Sequence, residues 1–189
     1  MVRVMHRRGP AELTLREIAE EAGVTAGALV QRFGSKRAML IAHARHAAAT
    51  GDVGVIAPRL RTDSPLQHLR AVTTMYAQLA TSPQAAVRNV AYLLHDLTDP
   101  ALRRHLLRLS SAAREWYAQR LKEAVTAAEL RVDTDVDALA RSIEVTLRGS
   151  FLSWTIYREG SAAGWLREDL DAVLRPYLAA DDKRPGRRT

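Results

Sequence analysis

The sequence predicts an all-α protein. Three observations carry that reading. Ala, Leu and Arg dominate, and 10 Gly and 7 Pro among 189 residues leave few breaks. The period-2 alternation of half-buried strands is hard to find. Helix starts are marked repeatedly by Ser, Thr or Asp just ahead of Pro, or three residues ahead of Glu.

Residues 2–8 make a first helix that ends at Gly9-Pro10. Thr14 and Glu17 form a capping box for a helix over 15–22. Thr25 and Ser35 are natural N-caps for helices over 26–33 and 36–49. The stretch 51–63, with two Gly and one Pro, reads as a linker. Ser64-Pro65, Ser82-Pro83 and Asp99-Pro100 each place a cap before a first-turn proline, opening helices over 65–81, 83–96 and 100–128. Asp135 opens a helix over 136–158, and Asp137 in its first turn suits the helix dipole. The last helix, 165–179, carries the stripe Leu166, Leu170, Val173, Leu174 and Tyr177. Residues 181–189, DDKRPGRRT, read as a disordered basic tail. The expected organisation is a small head over 1–50, a larger helical domain over 51–180, and the tail.

Composition narrows the function. With 47% hydrophobic and 26% charged residues the chain has the balance of a folded soluble protein rather than a disordered one. No cysteine is present, so disulfides, thiolate metal sites and cysteine nucleophiles are excluded. No apolar run approaches the ~20 residues of a membrane span, and the N-terminus has no signal-peptide core, so a cytoplasmic location is expected. The net charge of +7 comes from 25 Arg and 3 Lys against 21 acidic residues. Residues 1–50 hold 8 basic and 4 acidic side chains, whereas 51–180 hold 16 and 15, so the excess is concentrated in the head. That distribution suits a polyanionic partner at one end of the molecule.

The informative segment is TLREIAEEAGVTAGALVQRFGSKRAML, residues 14–40. Two short helices meet at a tight turn, Gly23-Val24-Thr25. Ile18, Ala22 and Val24 are expected to face inward with Leu29 and Phe33, and Ala19 is small where the helices cross. Gly23 supplies the backbone freedom of the turn. This is the logic of a helix-turn-helix, in which the first helix braces the second in the DNA major groove. IAEEAGVTAGALVQRFGSKRAML resembles the DNA-binding segment of TetR-family transcriptional repressors, whose pattern runs I-A-x-x-A-G-V-[ST]-x-G-x-L-Y-x-H-F-x-S-K-x-x-L. The resemblance implies an all-helical ligand-binding and dimerisation domain behind the head, double-stranded operator DNA as partner, and release by a small organic ligand. Two positions depart from the pattern: Val30 stands where an aromatic is usual, and Arg32 where His is usual. The family's first helix is also longer than the two turns before Gly9, so a shortened brace is expected.

Chemistry assigns the DNA-facing roles. Thr25 caps the reading helix and sets its hydroxyl and N–H groups where a phosphate binds. Ser35 and Lys36 open the next helix and make a second phosphate anchor. The reading face is Ala26, Gly27, Ala28, Gln31 and Arg32. Gln31 suits adenine, Arg32 suits guanine, and the alanines suit thymine methyls. Arg16 is placed to reach a phosphate or a base. For each of these side chains the alternative is a solvated face.

In the larger domain, Tyr76, Asn89, Tyr92, His95, Trp116, Tyr117 and Trp154 mix polar and aromatic character among apolar neighbours. They are candidate lining for a ligand cavity, or else an ordinary core with satisfied hydroxyls. Arg148 would favour an anionic ligand if buried, or pair with Glu144 four residues earlier. The last two helices are the expected dimer surface, through Leu147, Gly149, Ser153, Leu170 and Leu174; Gly149 and Ser153 equally suit an intramolecular crossing. A two-fold dimer implies a palindromic operator. His43 and His46 have metal-ligand spacing but no accompanying carboxylates, and no nucleophile set or phosphate loop occurs, so neither metal, cofactor nor catalysis is expected. The alternative function is a helical protein-interaction adaptor, which leaves residues 14–40 unexplained.

Overall fold

The computed structural model describes residues 2–50, 63–78 and 81–179. The expected linker, apart from Asp63, and the expected tail lie outside the described residues. Among the described residues the chain is all-α: α1 Val2–Arg7, α2 Leu15–Ala22, α3 Ala26–Phe33, α4 Lys36–Thr50, α5 Pro65–Gln78, α6 Pro83–Thr98, α7 Pro100–Thr126, α8 Val136–Tyr157 and α9 Ala162–Leu174. None of the described helices is long and apolar enough to cross a membrane.

The caps sit where the side chains place them. The Thr14 hydroxyl accepts the Glu17 N–H at 3.2 Å while the Glu17 carboxylate accepts the Thr14 N–H at 3.2 Å. Ser64, Ser82 and Asp135 accept from the N–H three residues on, at 3.1, 3.1 and 3.0 Å. The expected last helix needs correction at both ends. It begins at Ala162, because Ser161 caps the Gly164 N–H at 3.1 Å. It closes at Leu174, where Pro176 removes a donor and Arg175–Tyr177 tightens into a 3-10 turn.

α5, α7, α8 and α9 pack on one another around the main core. It includes Leu69 from α5, Tyr117 and Leu121 from α7, Leu139, Ile143 and Leu147 from α8, and Leu166, Leu170 and Leu174 from α9. Leu147, Leu170 and Leu174 are at most 1% exposed here, so these three are not surface positions that a second chain could cover. The helical period that made them conspicuous marks the inward face. Gly149 is exposed and Ser153 half-buried on the same helix. The segment after α9 is pinned beside the α7–α8 loop by Arg131 N–H to Tyr177 carbonyl at 2.9 Å and Ala179 N–H to Glu129 carbonyl at 3.1 Å.

A second core lies at the other end. Val4, Leu13, Ile18, Met39 and Leu40 from the head close around Tyr92 of α6 and Leu102 of α7. α4 also packs along α7, and α1 against α6. The head is therefore seated on the larger domain.

Leu121 is fully buried in the main core. Leu121→Ala is expected to destabilise the chain by about 2–5 kcal/mol in chemical denaturation, the cost of a cavity that its neighbours fill only in part.

Candidate nucleic-acid interface

The site is built from α2, α3 and α4. Gly23 ends α2 in the left-handed region (φ 67°), and its N–H and that of Val24 return to the Glu20 and Ala19 carbonyls at 3.3 and 3.0 Å. A side chain at this φ would be strained, so glycine suits the reversal. Thr25 then caps α3, its hydroxyl accepting the Ala28 N–H at 3.1 Å. The inward set differs from expectation. Ile18 and Ala19 are buried and Leu29 and Phe33 half-buried, but Ala22 is exposed and Val24 is 46% exposed. The reversal at Gly23 carries Val24 onto the surface.

α3 has no buried residue. Gly27, Ala28, Gln31 and Arg32 are exposed, Ala26 is half-buried beside them, and Val30 is 47% exposed. At 100° per residue, Gly27, Ala28 and Gln31 share one face. The Arg32 guanidinium rests 5.5 Å from the Phe33 ring centroid. Ser35 caps α4 through the Ala38 N–H at 3.1 Å. Lys36 is half-buried and its ammonium donates to the Pro10 carbonyl at 3.2 Å, which ties the start of α4 to the α1–α2 loop. Thr25, Gln31, Arg32, Ser35 and Lys36 thus stand on α3, on its N-cap and at the start of α4.

Four of the eight basic side chains of the head are ion-paired within it. Arg3 and Arg7 reach Glu21 at 2.6 and 2.5 Å, Arg8 reaches Glu17 at 2.7 Å, and Arg16 reaches Glu20 at 2.9 Å. Arg16 remains exposed but carries a carboxylate partner. Among the described head residues, Arg32, Lys36 and Arg45 have no acidic partner.

Two polar contacts that sequence alone did not single out fix the head to the larger domain. Arg37 grips Asp99 with two hydrogen bonds, at 2.5 and 3.0 Å. Asp99 also caps α7 through the Ala101 N–H at 2.8 Å. The signal was present as Asp99-Pro100, but a cap motif does not disclose a distant arginine. The Tyr92 hydroxyl donates to the Arg8 carbonyl at 3.0 Å. Burial, with the Asp96 carboxylate nearby, pushes that phenol up to about 12, so it stays a neutral donor.

The candidate ligand residues do not come together as one lining. Tyr92 belongs to the core of the head, and Trp154 packs with Ala86 and Ala162. The Asn89 amide donates to the Ala85 carbonyl of its own helix at 3.0 Å, and His95 lies 3.1 Å from Asp96. Periodicity shows which residues face inward, not which neighbour they meet there. Tyr76, Trp116, Tyr117 and Arg148 do gather between α5, α7 and α8. Tyr117 and Tyr76 hydroxyls are 3.4 Å apart, and Trp116 meets Tyr117 edge-on at 5.7 Å. Arg148 is half-exposed, donates to Ser110 at 2.6 Å, and pairs with Glu144 at 3.0 Å, so its charge is partly answered. Arg114 holds the same carboxylate at 2.6 Å. Two surface hollows of about 500 and 560 Å³ lie elsewhere, one beside Arg70 and Glu129, the other between α1 and α2.

The chain matches two family models. Residues 2–43 match "Bacterial regulatory proteins, tetR family", and residues 65–170 match "Tetracyclin repressor-like, C-terminal domain". No curated protein matches the sequence. Among solved structures, the chain is similar to SmeT, repressor of the Stenotrophomonas maltophilia multidrug efflux pump SmeDEF, at 22% identity and TM-score 0.67, covering 97% of this chain and 89% of that one. It is similar to Thermus thermophilus FadR in complex with lauroyl-CoA at 22% identity and TM-score 0.59, covering 98% and 95%. It is also similar to Bacillus subtilis FadR in complex with stearoyl-CoA at 17% identity and TM-score 0.66, covering 91% and 92%. At these identities the likeness shows a shared fold.

The ion pairs set a pH dependence. The hydrogen bond from Arg37 holds the Asp99 carboxyl below its ordinary value, the Thr14 hydroxyl does so for Glu17, and Arg7 for Glu21. A carboxyl lowered by folding stabilises above its unfolded value, and that stabilisation is lost as pH falls through the folded one. The melting temperature is therefore expected to fall on acidification below about pH 4. Asp99→Asn should melt lower than the unaltered chain at neutral pH and show a smaller acid-induced drop.

Proposed function

Because the chain belongs to the TetR family of bacterial regulatory proteins, we propose that it is a ligand-responsive transcriptional repressor that binds a palindromic operator as a dimer and is released by a small organic molecule. The observation that carries this reading is α3, a capped helix with no buried residue, held by α2 and α4 with Gln31 and Arg32 exposed. A helix that contributes so little to the core has its exposed face free for a partner. Residues 1–50 would form the DNA-binding unit and 51–180 the ligand-binding and dimerisation unit.

In the proposed complex, Gln31 and Arg32 read base edges, with Ala26, Gly27 and Ala28 close against the groove floor. Thr25, Ser35 and Lys36 hold phosphates on either side. Lys36 is pre-positioned by its bond to the Pro10 carbonyl and keeps two N–H groups for an anion. Arg16 reaches DNA only by leaving Glu20, a low cost for a pair this exposed.

Dimerisation is assigned to the outer face of α8. Val145, Gly149, Leu152 and Ile156 follow one another at helical spacing, and the three apolar side chains are 63%, 47% and 69% exposed. Ligand is assigned to the space between α5, α7 and α8, where Tyr76, Trp116, Tyr117 and Arg148 gather. Support for a ligand comes from similar structures: SmeT is known in a complex with triclosan, and the two FadR proteins with acyl-CoA. The helical-adaptor reading leaves the exposed α3 without a role.

Selection of bound duplexes from a random pool, followed by mobility shift, tests the DNA reading. Lys36→Ala is expected to weaken binding to all sequences, while Gln31→Ala relaxes specificity at one base pair by about 1–3 kcal/mol. Equal small losses on selected and random DNA for Gln31→Ala would contradict its role. Sedimentation tests the dimer: Leu152→Glu should yield a folded monomer, whereas a dimer unaffected by this change would move the interface elsewhere.

A further inference from the structure

We propose that the exposed face at the start of α7, carrying Arg103, Arg104 and Arg108, extends the DNA-binding surface and takes phosphates that flank the operator core. The proposal rests on the reading of this chain as a DNA-binding regulator. All three arginines are exposed, and none has an acidic partner among the described residues. At 100° per residue they fall with Leu107 inside an arc of about 140°, and the opposite side of α7 buries Leu102, His105 and Ala113. The strip is therefore one face of one helix, fixed by the core beneath it.

Its position links it to the reading head. α7 starts at Asp99, whose carboxylate is held by Arg37, the neighbour of the phosphate anchor Lys36. Arg103 lies about 6 Å along the helix axis from Asp99, and Arg108 about 14 Å, from the rise per residue. Asp99 is neutralised by Arg37, while Asp96, at the end of α6, meets the His95 ring at 3.1 Å. The next exposed acidic residue along this face is Glu115. A strip of uncompensated arginines thus runs up α7 from the end that Arg37 holds.

Nucleic acid suits this strip better than an acidic protein does. It begins at the cap that Arg37, next to Lys36, holds, it carries guanidinium groups that match phosphate geometry, and Leu107 is its single large apolar side chain.

The test compares the unaltered chain with Arg103→Ala/Arg104→Ala/Arg108→Ala on two duplexes. One is the selected operator trimmed to about 20 base pairs, and the other adds about one helical turn at each end. Affinity is followed by fluorescence anisotropy across a salt series, with circular dichroism as the check on folding. Loss of two or three phosphate contacts per protomer is expected to flatten the log–log salt slope on the longer duplex by about 0.9 per contact, with little change on the short one. The same slope for both proteins on both duplexes overturns the proposal and leaves the strip to an acidic protein surface. An equal loss on both lengths also overturns it, because the arginines then act within the core site. If the unaltered chain binds neither duplex, the regulator reading fails first; Lys36→Ala, weakened on both lengths, marks the opposite case.

Discussion

The structure depends on a core that the head does not complete by itself. α3 buries no residue and α2 buries only Ile18 and Ala19. A helical segment of this size has little apolar surface to close around. Tyr92 and Leu102, from α6 and α7, supply the missing wall against Val4, Leu13, Met39 and Leu40. The orientation of α3 is thereby set by the larger domain. The Tyr92 hydroxyl on the Arg8 carbonyl and the Arg37–Asp99 pair fasten the rim of the same junction. Coupling between a ligand and DNA requires an element whose arrangement both can bias. The junction of α6 and α7 touches the head on one side and the main core on the other.

Electrostatics shape the head in a way that net charge hides. Its arginines engage the glutamates of α2, which brace α1 against α2 and leave only a few cations unanswered. Those that remain, Arg32 and Lys36 in particular, flank the face of α3. Specific binding on such a surface needs placed groups more than a large overall charge, since phosphate contacts fix register and base contacts carry sequence information. The partly buried Lys36, steadied by the Pro10 carbonyl, is a placed group in this sense.

The helices, and every start but that of α9, were legible because caps are local. A Ser, Thr or Asp three residues ahead of an N–H satisfies a donor that the helix itself cannot, and that pattern is written in consecutive residues. The end of α9 and the exposure of Val24 depend on a proline and a backbone reversal, which shift boundaries by only a few residues. What stayed hidden is non-local. Tyr92 looked like a cavity residue and closes the head instead. Leu147, Leu170 and Leu174 looked like a dimer seam and fill their own core. Both cases show that an apolar stripe specifies an inward face without naming what it packs against. The Arg37–Asp99 pair spans 62 positions in sequence, and no local spacing announces it.

Packing of Tyr92 into the head makes α1, α2, α3 and the α6–α7 junction one cooperative unit. Backbone hydrogen exchange in the unaltered chain and in Tyr92→Ala resolves the opening of each helix separately. Amides of α1, α2 and α3 are expected to lose protection together in the variant, while α8 and α9 keep theirs. Unchanged protection across the head, with Tyr92 gone, would contradict it and show that the head folds and holds its position without the larger domain.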